Sequence, residues 1–181
     1  MKTLAIISLL CLGICLIIGT GMAFAVEDSR TQSSIVTLGV PANCKLLITD
    51  ANPSKTLTAD EAVVAFDAQY IELDANKPTL TVSANKKWVL SAKSGGFGAV
   101  TDAGVTYTKD IGDLQLKDTG IHKVMSSYTG LSATDQTLAS HTVGVRGESN
   151  PCQYKILLDY TKDIPGNYIA TVTYTLATQA S

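Results

Sequence analysis

The chain has 181 residues, of which 14 are Lys or Arg and 16 are Asp or Glu, so its formal net charge is −2. Only 17% of the residues are charged, against about 25% in a typical soluble domain. This weak, slightly acidic field excludes the basic footprint that binding to nucleic acid or anionic lipid requires. The length fits a single domain with its own core.

Residues 1–25 have the pattern of a cleavable signal peptide. Lys2 precedes an apolar run from Leu4 to Met22, and Ala23-Phe24-Ala25 gives the small-x-small pattern of a cleavage site. An uncleaved transmembrane anchor is the alternative, because the run approaches the ~20 residues that span a bilayer. We expect cleavage after Ala25, which leaves a secreted, extracellular or cell-surface protein of net charge −3 with no integral membrane segment.

The start of the mature chain divides into two parts. Residues 26–33 are polar and unpatterned, which predicts a flexible N-terminal arm before a β domain over 34–181. A first strand is expected over 34–40, where the apolar residues are Ile35, Val36, Leu38 and Val40. This strand either pairs within its own sheet or adds to the sheet edge of another copy.

Two cysteines, Cys44 and Cys152, remain after signal cleavage. An even pair in an oxidising compartment predicts a disulfide. Closing a loop of this length stabilises a domain by about 4 to 5 kcal/mol in the chain-entropy treatment. A nucleophilic or metal-binding role finds no support, because there is no Cys-x-x-Cys motif and neither His lies at ligand spacing from a cysteine.

The rest of the chain alternates apolar and polar residues with a period of two, which is typical of β-strands. Turn clusters such as Pro41-Ala42-Asn43 and Pro165-Gly166-Asn167 separate the alternating segments. About ten short strands at this spacing predict an all-β, two-sheet antiparallel sandwich. The expected strands are 34–40, 44–49, 70–73, 79–84, 88–93, 105–108, 113–117, 137–145, 154–160 and 168–176. A short helix is expected over 59–67, capped by Thr58 and Glu61.

Trp88 and Leu90 share one face of an expected strand. The face is either core, as sandwiches often bury one tryptophan, or an exposed binding surface on which Trp88 anchors a ligand. Lys86 and Lys87 precede the strand. Beside an exposed binding surface these two lysines would contact anionic polymers. The alternative is that they form a solvated rim at the sheet edge.

Two segments resemble the WxL family of bacterial surface domains. Trp88-Val89-Leu90 is followed by a polar stretch and Phe97, and Tyr168-Ile169-Ala170-Thr171 leads to Tyr174-Thr175-Leu176 near the C-terminus. The second tryptophan of the family is Tyr174 here, and the cysteine pair is not typical of it. The resemblance implies an Ig-like or WxL-like sandwich and non-covalent association with a Gram-positive cell wall.

Motifs for catalysis are absent from the sequence. There is no Gly-x-Ser-x-Gly, His-Glu-x-x-His or phosphate-binding loop. Asp110, Asp113 and Asp118 are candidates for a carboxylate pair for glycoside hydrolysis or, with Asp102, for a calcium loop, although EF-hand spacing is missing. We predict no catalytic residue, metal or cofactor.

These features favour a non-enzymatic, secreted cell-surface or envelope protein with a structural or adhesive role. Its expected partners are a cell-envelope polymer or other copies of itself. One alternative is a subunit of an extracellular filament or layer, assembled by strand exchange. Another is a small secreted carbohydrate-active enzyme that uses the loop aspartates.

Overall fold

The computed structural model of the chain describes residues 37–73 and 76–179. Residues 40–181 form one compact unit. The strands are β1 (Cys44–Thr49), β2 (Tyr70–Leu73), β3 (Thr79–Ala84), β4 (Trp88–Phe97), β5 (Val100–Asp102), β6 (Val105–Tyr107), β7 (Leu114–Asp118), β8 (Thr129–Gly130), β9 (Gln136–His141), β10 (Val145–Leu157) and β11 (Ala170–Thr178). One α-helix, α1 (Ala59–Ala68), and a 3₁₀ turn, Ile111–Asp113, complete the described elements.

The strands form two main antiparallel sheets. The first has the order β1-β3-β10-β7-β8, with β2 also paired to β10, and the second has the order β11-β4-β9. Strands β5 and β6 form a separate hairpin. The long strand β10 organises the first sheet, because its first half pairs with β3 and its second half pairs with both β2 and β7.

The core lies between the two sheets. Strand β3 contributes Leu80 and Val82, and β4 contributes Trp88 and Leu90; all four side chains are fully buried. The residues between them along each strand face outward, as the period of two requires. Burying each such aliphatic side chain stabilises the fold by roughly 1.5 to 3 kcal/mol. The prediction of an all-β sandwich is confirmed.

Two tyrosines join the sheets through the core. The hydroxyl of Tyr154 on β10 hydrogen-bonds the hydroxyl of Tyr174 on β11. Burial raises the pKa of Tyr154 to about 12 and also raises the pKa of Tyr174. The pair therefore satisfies two polar groups inside an apolar layer.

The helix is fixed at its start by a capping box. The Thr58 hydroxyl accepts from the Glu61 backbone N–H at 3.3 Å, and the Glu61 carboxylate accepts from the Thr58 N–H at 2.9 Å. Hydrogen bonds from Lys55 and then from the Thr58 backbone lower the pKa of Glu61 to about 2. Helix α1 confirms the prediction over 59–67 and extends it by one residue.

The strand predictions differ from the structure mainly around β10. The expected strand over 137–145 is interrupted after His141, where the Gly144 backbone crosses the end of β3 so closely that a Cβ would lie 2.7 Å from the Ala84 carbonyl oxygen. The expected break before Tyr154 does not exist. Pro151 is tolerated inside β10 because it lies where the strand changes partners from β3 to β7.

Candidate functional site

The predicted disulfide between Cys44 and Cys152 is wrong, and both cysteines are free. Cys44 pairs with Ala84 at the end of β3, whereas the Cys152 N–H donates to the Pro78 carbonyl just before β3 begins. The length of β3 therefore separates them by about 20 Å along the strand direction. A disulfide needs Cα atoms within about 7 Å.

The two thiols have different environments. Cys152 is fully buried, and this burial raises its pKa to about 12. Cys44 is exposed, with its Sγ 3.8 Å from the Leu176 carbonyl oxygen. Cys152 is thus a small core residue, and Cys44 lies at a surface where the first and last strands approach each other.

The interpretation of Trp88 and Leu90 as a binding surface is wrong. Both side chains are 0% exposed, and the Trp88 ring meets the His122 ring edge-on at 6.4 Å between centroids. Lys86 is half-buried and Lys87 exposed, in the turn between β3 and β4. The two lysines thus lie at the rim of the sheet, and the Trp88 side chain is not exposed beside them.

The expected first strand is only partly covered by the described residues. The signal peptide, the arm over 26–33, Ile35 and Val36 lie outside them. Residues 37–40 are not in a strand, so this part of the segment does not pair within its own sheet. Leu38 is 83% exposed and Val40 is 69% exposed.

An open seam lies between the edges of the two sheets. Within the described ranges, β1 pairs only with β3 and β11 pairs only with β4. The two free edges approach each other at Cys44 and Leu176. We call the inward-facing residues along these edges the β1–β11 seam: Leu46 and Ile48 on β1, and Val172, Tyr174 and Leu176 on β11.

The seam residues leave part of the core accessible. Leu46, Val172 and Tyr174 pack against the buried cluster but are only partly buried, and Ile48 is 43% exposed. Free strand edges also present unpaired backbone N–H and C=O groups, and β1 carries only one charged residue, Lys45, to discourage pairing. These features favour addition of a further strand at the free edge of β1.

The Pro41–Asn43 segment is fixed by two hydrogen bonds to the turn that follows β3. The Asn85 side chain accepts from the Asn43 N–H at 2.8 Å and donates to the Pro41 carbonyl at 2.7 Å. Asn85 follows β3, which lies on the opposite side of β1 from the seam.

A buried ion pair lies in the loops before β7 and β11. Lys109 Nζ is 2.8 and 2.7 Å from the two carboxylate oxygens of Asp163, and the side chains are 1% and 0% exposed. Asp113 Oδ2 lies 3.3 Å from the same Nζ. Nothing in the sequence predicts this pair, because its members are 54 residues apart in irregular segments and carry no periodic signal.

The loop carboxylates considered for hydrolysis have separate structural roles. Asp110 Oδ1 accepts from the Gly112 N–H at 2.7 Å, and Asp113 faces Lys109. Asp118 is buried and accepts from the Gly120 N–H at 2.8 Å; its burial raises its pKa. Asp102, the fourth candidate for calcium, is exposed at the end of β5. No group of three potential metal ligands occurs among residues 37–73 and 76–179.

Comparison with models of known protein families and with curated proteins finds no match to this sequence. In the part of the chain that the structure describes, no helix has the length and apolar character needed to cross a membrane.

Proposed function

We propose that the protein is a secreted structural subunit of the cell surface, and that its copies associate by strand addition. In this proposal residues 34–40 of one copy pair with the free edge of β1 in the next and cover the β1–β11 seam. The open, partly apolar seam is the observation that carries the proposal. The signal peptide predicted over 1–25 supports the extracellular location, and the WxL resemblance supports the surface role.

The donor segment matches the seam in length and pattern. Residues 34–40 are seven residues long and β1 has six. Val36, Leu38 and Val40 alternate, so in an added strand all three would face the core beside Ile48. Full burial of each side chain contributes roughly 1.5 to 3 kcal/mol, a sum similar to the lower estimates of the association cost. The added backbone hydrogen bonds then favour assembly.

A second copy is the proposed donor because Leu38 and Val40, which are 83% and 69% exposed, lie in a segment that is not a strand in the single chain. Pro41 and Asn43, which follow this segment, are hydrogen-bonded to Asn85. Strand addition between copies is a known route to extended assemblies.

The proposal is tested by the oligomeric state of two proteins, residues 26–181 and residues 41–181. Sedimentation velocity over a wide concentration range should show concentration-dependent oligomers of the longer protein and a folded monomer of the shorter one. A synthetic peptide of residues 34–40 should bind the shorter protein. A longer protein that stays monomeric at every concentration, or a shorter one that assembles equally well, overturns the proposal.

Two neighbouring positions on β1 provide matched variants. Ile48→Lys places a charge in the seam, whereas Leu47→Lys places the same charge on the opposite face of the same strand, where the side chain is 50% exposed. Only Ile48→Lys should prevent assembly of residues 26–181. Equal loss in both variants would show that the effect comes from β1 stability and not from the seam.

A further inference from the structure

The Lys109–Asp163 pair is enclosed in a way that ordinary surface ion pairs are not. The Tyr168 ring centroid lies 5.8 Å from Lys109 Nζ. The rings of Phe97 and Tyr107 meet Tyr168 edge-on, at 6.3 and 6.4 Å between centroids. Tyr168 itself is held by the Ile164 backbone, to which its hydroxyl donates at 2.8 Å and from which it accepts at 2.9 Å. The two charged side chains thus lie beside an aromatic cluster and are almost fully buried.

We propose that Lys109 and Asp163 become joined by an isopeptide bond, formed by the protein itself without a cofactor. The bond forms between Lys109 Nζ and Asp163 Cγ. One Cγ–O bond breaks, and its oxygen leaves as water. No electrons are exchanged, so neither an oxidant nor a reductant is needed. This inference is independent of the proposed function.

The surrounding groups supply the proton transfers that the reaction requires. Transfer of one proton from Nζ to the Asp163 carboxylate gives an amine beside a carboxylic acid, and the amine attacks Cγ. Asp113 Oδ2, 3.3 Å from Nζ, takes the second proton and returns it to the departing Oδ1 hydroxyl. The Asp159 N–H donates to Asp163 Oδ2 at 2.9 Å, and so stabilises the negative charge on the oxygen that stays.

Burial and proximity favour the product. Holding two groups in contact gives effective molarities of about 10⁵ to 10⁸ M in well-oriented intramolecular reactions. A buried ion pair also keeps two charges out of water at a high desolvation cost, whereas the amide is neutral and the released water leaves the site. Both effects act at Lys109 and Asp163 because their side chains are almost fully buried.

The chain contains a matched comparison at the surface. Lys55 Nζ lies 2.7 Å from Glu61 Oε1, the same distance as Lys109 Nζ from Asp163 Oδ2. The Lys55 and Glu61 side chains are 40% and 44% exposed. Water surrounds this pair and stabilises its charges, so contact alone should not lead to condensation there.

The mass of the intact mature protein tests the proposal. Denatured wild-type protein should be lighter than its sequence by about 18 Da, the mass of one water. Trypsin should not cleave after Lys109, and the linked peptides should fragment with the bond at Asp163. Lys109→Arg should restore the full mass, and Asp113→Ala should leave part or all of the protein unlinked. Glu61→Ala should still lose the water.

A wild-type mass equal to the sequence, with normal tryptic cleavage after Lys109, shows an ion pair only and overturns the proposal. A mass loss that persists in Lys109→Arg also overturns it, because the dehydration then lies elsewhere. The wild-type measurement does not depend on whether any variant folds. The oligomeric state plays no part in either result, so this test and that of the proposed function are separate.

Discussion

Replacing Trp88 by alanine distinguishes a core residue from a ligand-binding residue. The side chain is fully buried between the sheets, at the start of β4. Its removal leaves a cavity between the sheets that the packed core residues can fill only in part. We therefore expect the main effect of Trp88→Ala to be a loss of stability.

The size of the loss follows from the burial. Truncation of a buried tryptophan to alanine costs about 3 to 5 kcal/mol, a large part of the roughly 5 to 15 kcal/mol that stabilises a typical domain. For a protein of this size each kcal/mol lowers the Tm by about 2 to 4 °C. The Tm of Trp88→Ala should therefore fall by roughly 6 to 20 °C.

Thermal unfolding followed by circular dichroism measures this change, with Lys87→Ala as the control. Lys87 is the neighbouring residue and is exposed, so its truncation should change stability by less than about 0.5 kcal/mol. Binding to isolated cell walls is measured in parallel, at a temperature where both variants are folded. A Trp88→Ala protein of unchanged Tm that no longer binds walls would refute the burial argument.

Two further predictions concern buried ionisable groups. Iodoacetamide should modify only Cys44 in the native protein, because Cys152 is buried and its pKa is raised to about 12. Dithiothreitol should leave the Tm unchanged, because there is no disulfide between Cys44 and Cys152 to reduce. A mass that shows neither thiol free after denaturation without reductant would contradict this. Burial raises the pKa of Asp118, so its contribution to stability is fully present below the unfolded-state pKa of about 3.9 and is lost as the pH rises through the folded-state pKa. Urea unfolding from pH 4 to pH 8 should show this loss in the wild type and not in Asp118→Asn; equal pH profiles would be the contrary result.

Local patterns in the sequence predict most of the strands because a strand's alternation is visible within a few residues. Strands β1, β2 and β3 have the bounds that alternation predicts, and the Thr58 and Glu61 spacing predicts the helix start. The same alternation places Trp88 and Leu90 on one face. Alternation cannot show whether that face packs against the other sheet or faces solvent. The choice between core and binding surface therefore needs the tertiary structure.

The errors arise where the answer depends on how distant strands align. Cys44 and Cys152 lie on strands that both pair with β3, but at its opposite ends. This register is set by many cross-strand contacts and not by the cysteines. The pairing of Lys109 with Asp163 depends in the same way on two loops that meet only after the sheets have packed.

The two ends of the described domain leave it at the same pole. Asn43 is bonded to Asn85, and the Gln179 N–H donates to the Lys87 carbonyl, so both ends are held by the turn between β3 and β4. A pulling force applied through these ends would separate β1 from β3 and β11 from β4 one residue pair at a time. The first pairs to open would be Cys44 with Ala84 and Thr178 with Trp88. A polymer that transmits tension through the domain's own two ends would thus yield at low force, while the loops around Lys109, at the far end of β4, would bear load last.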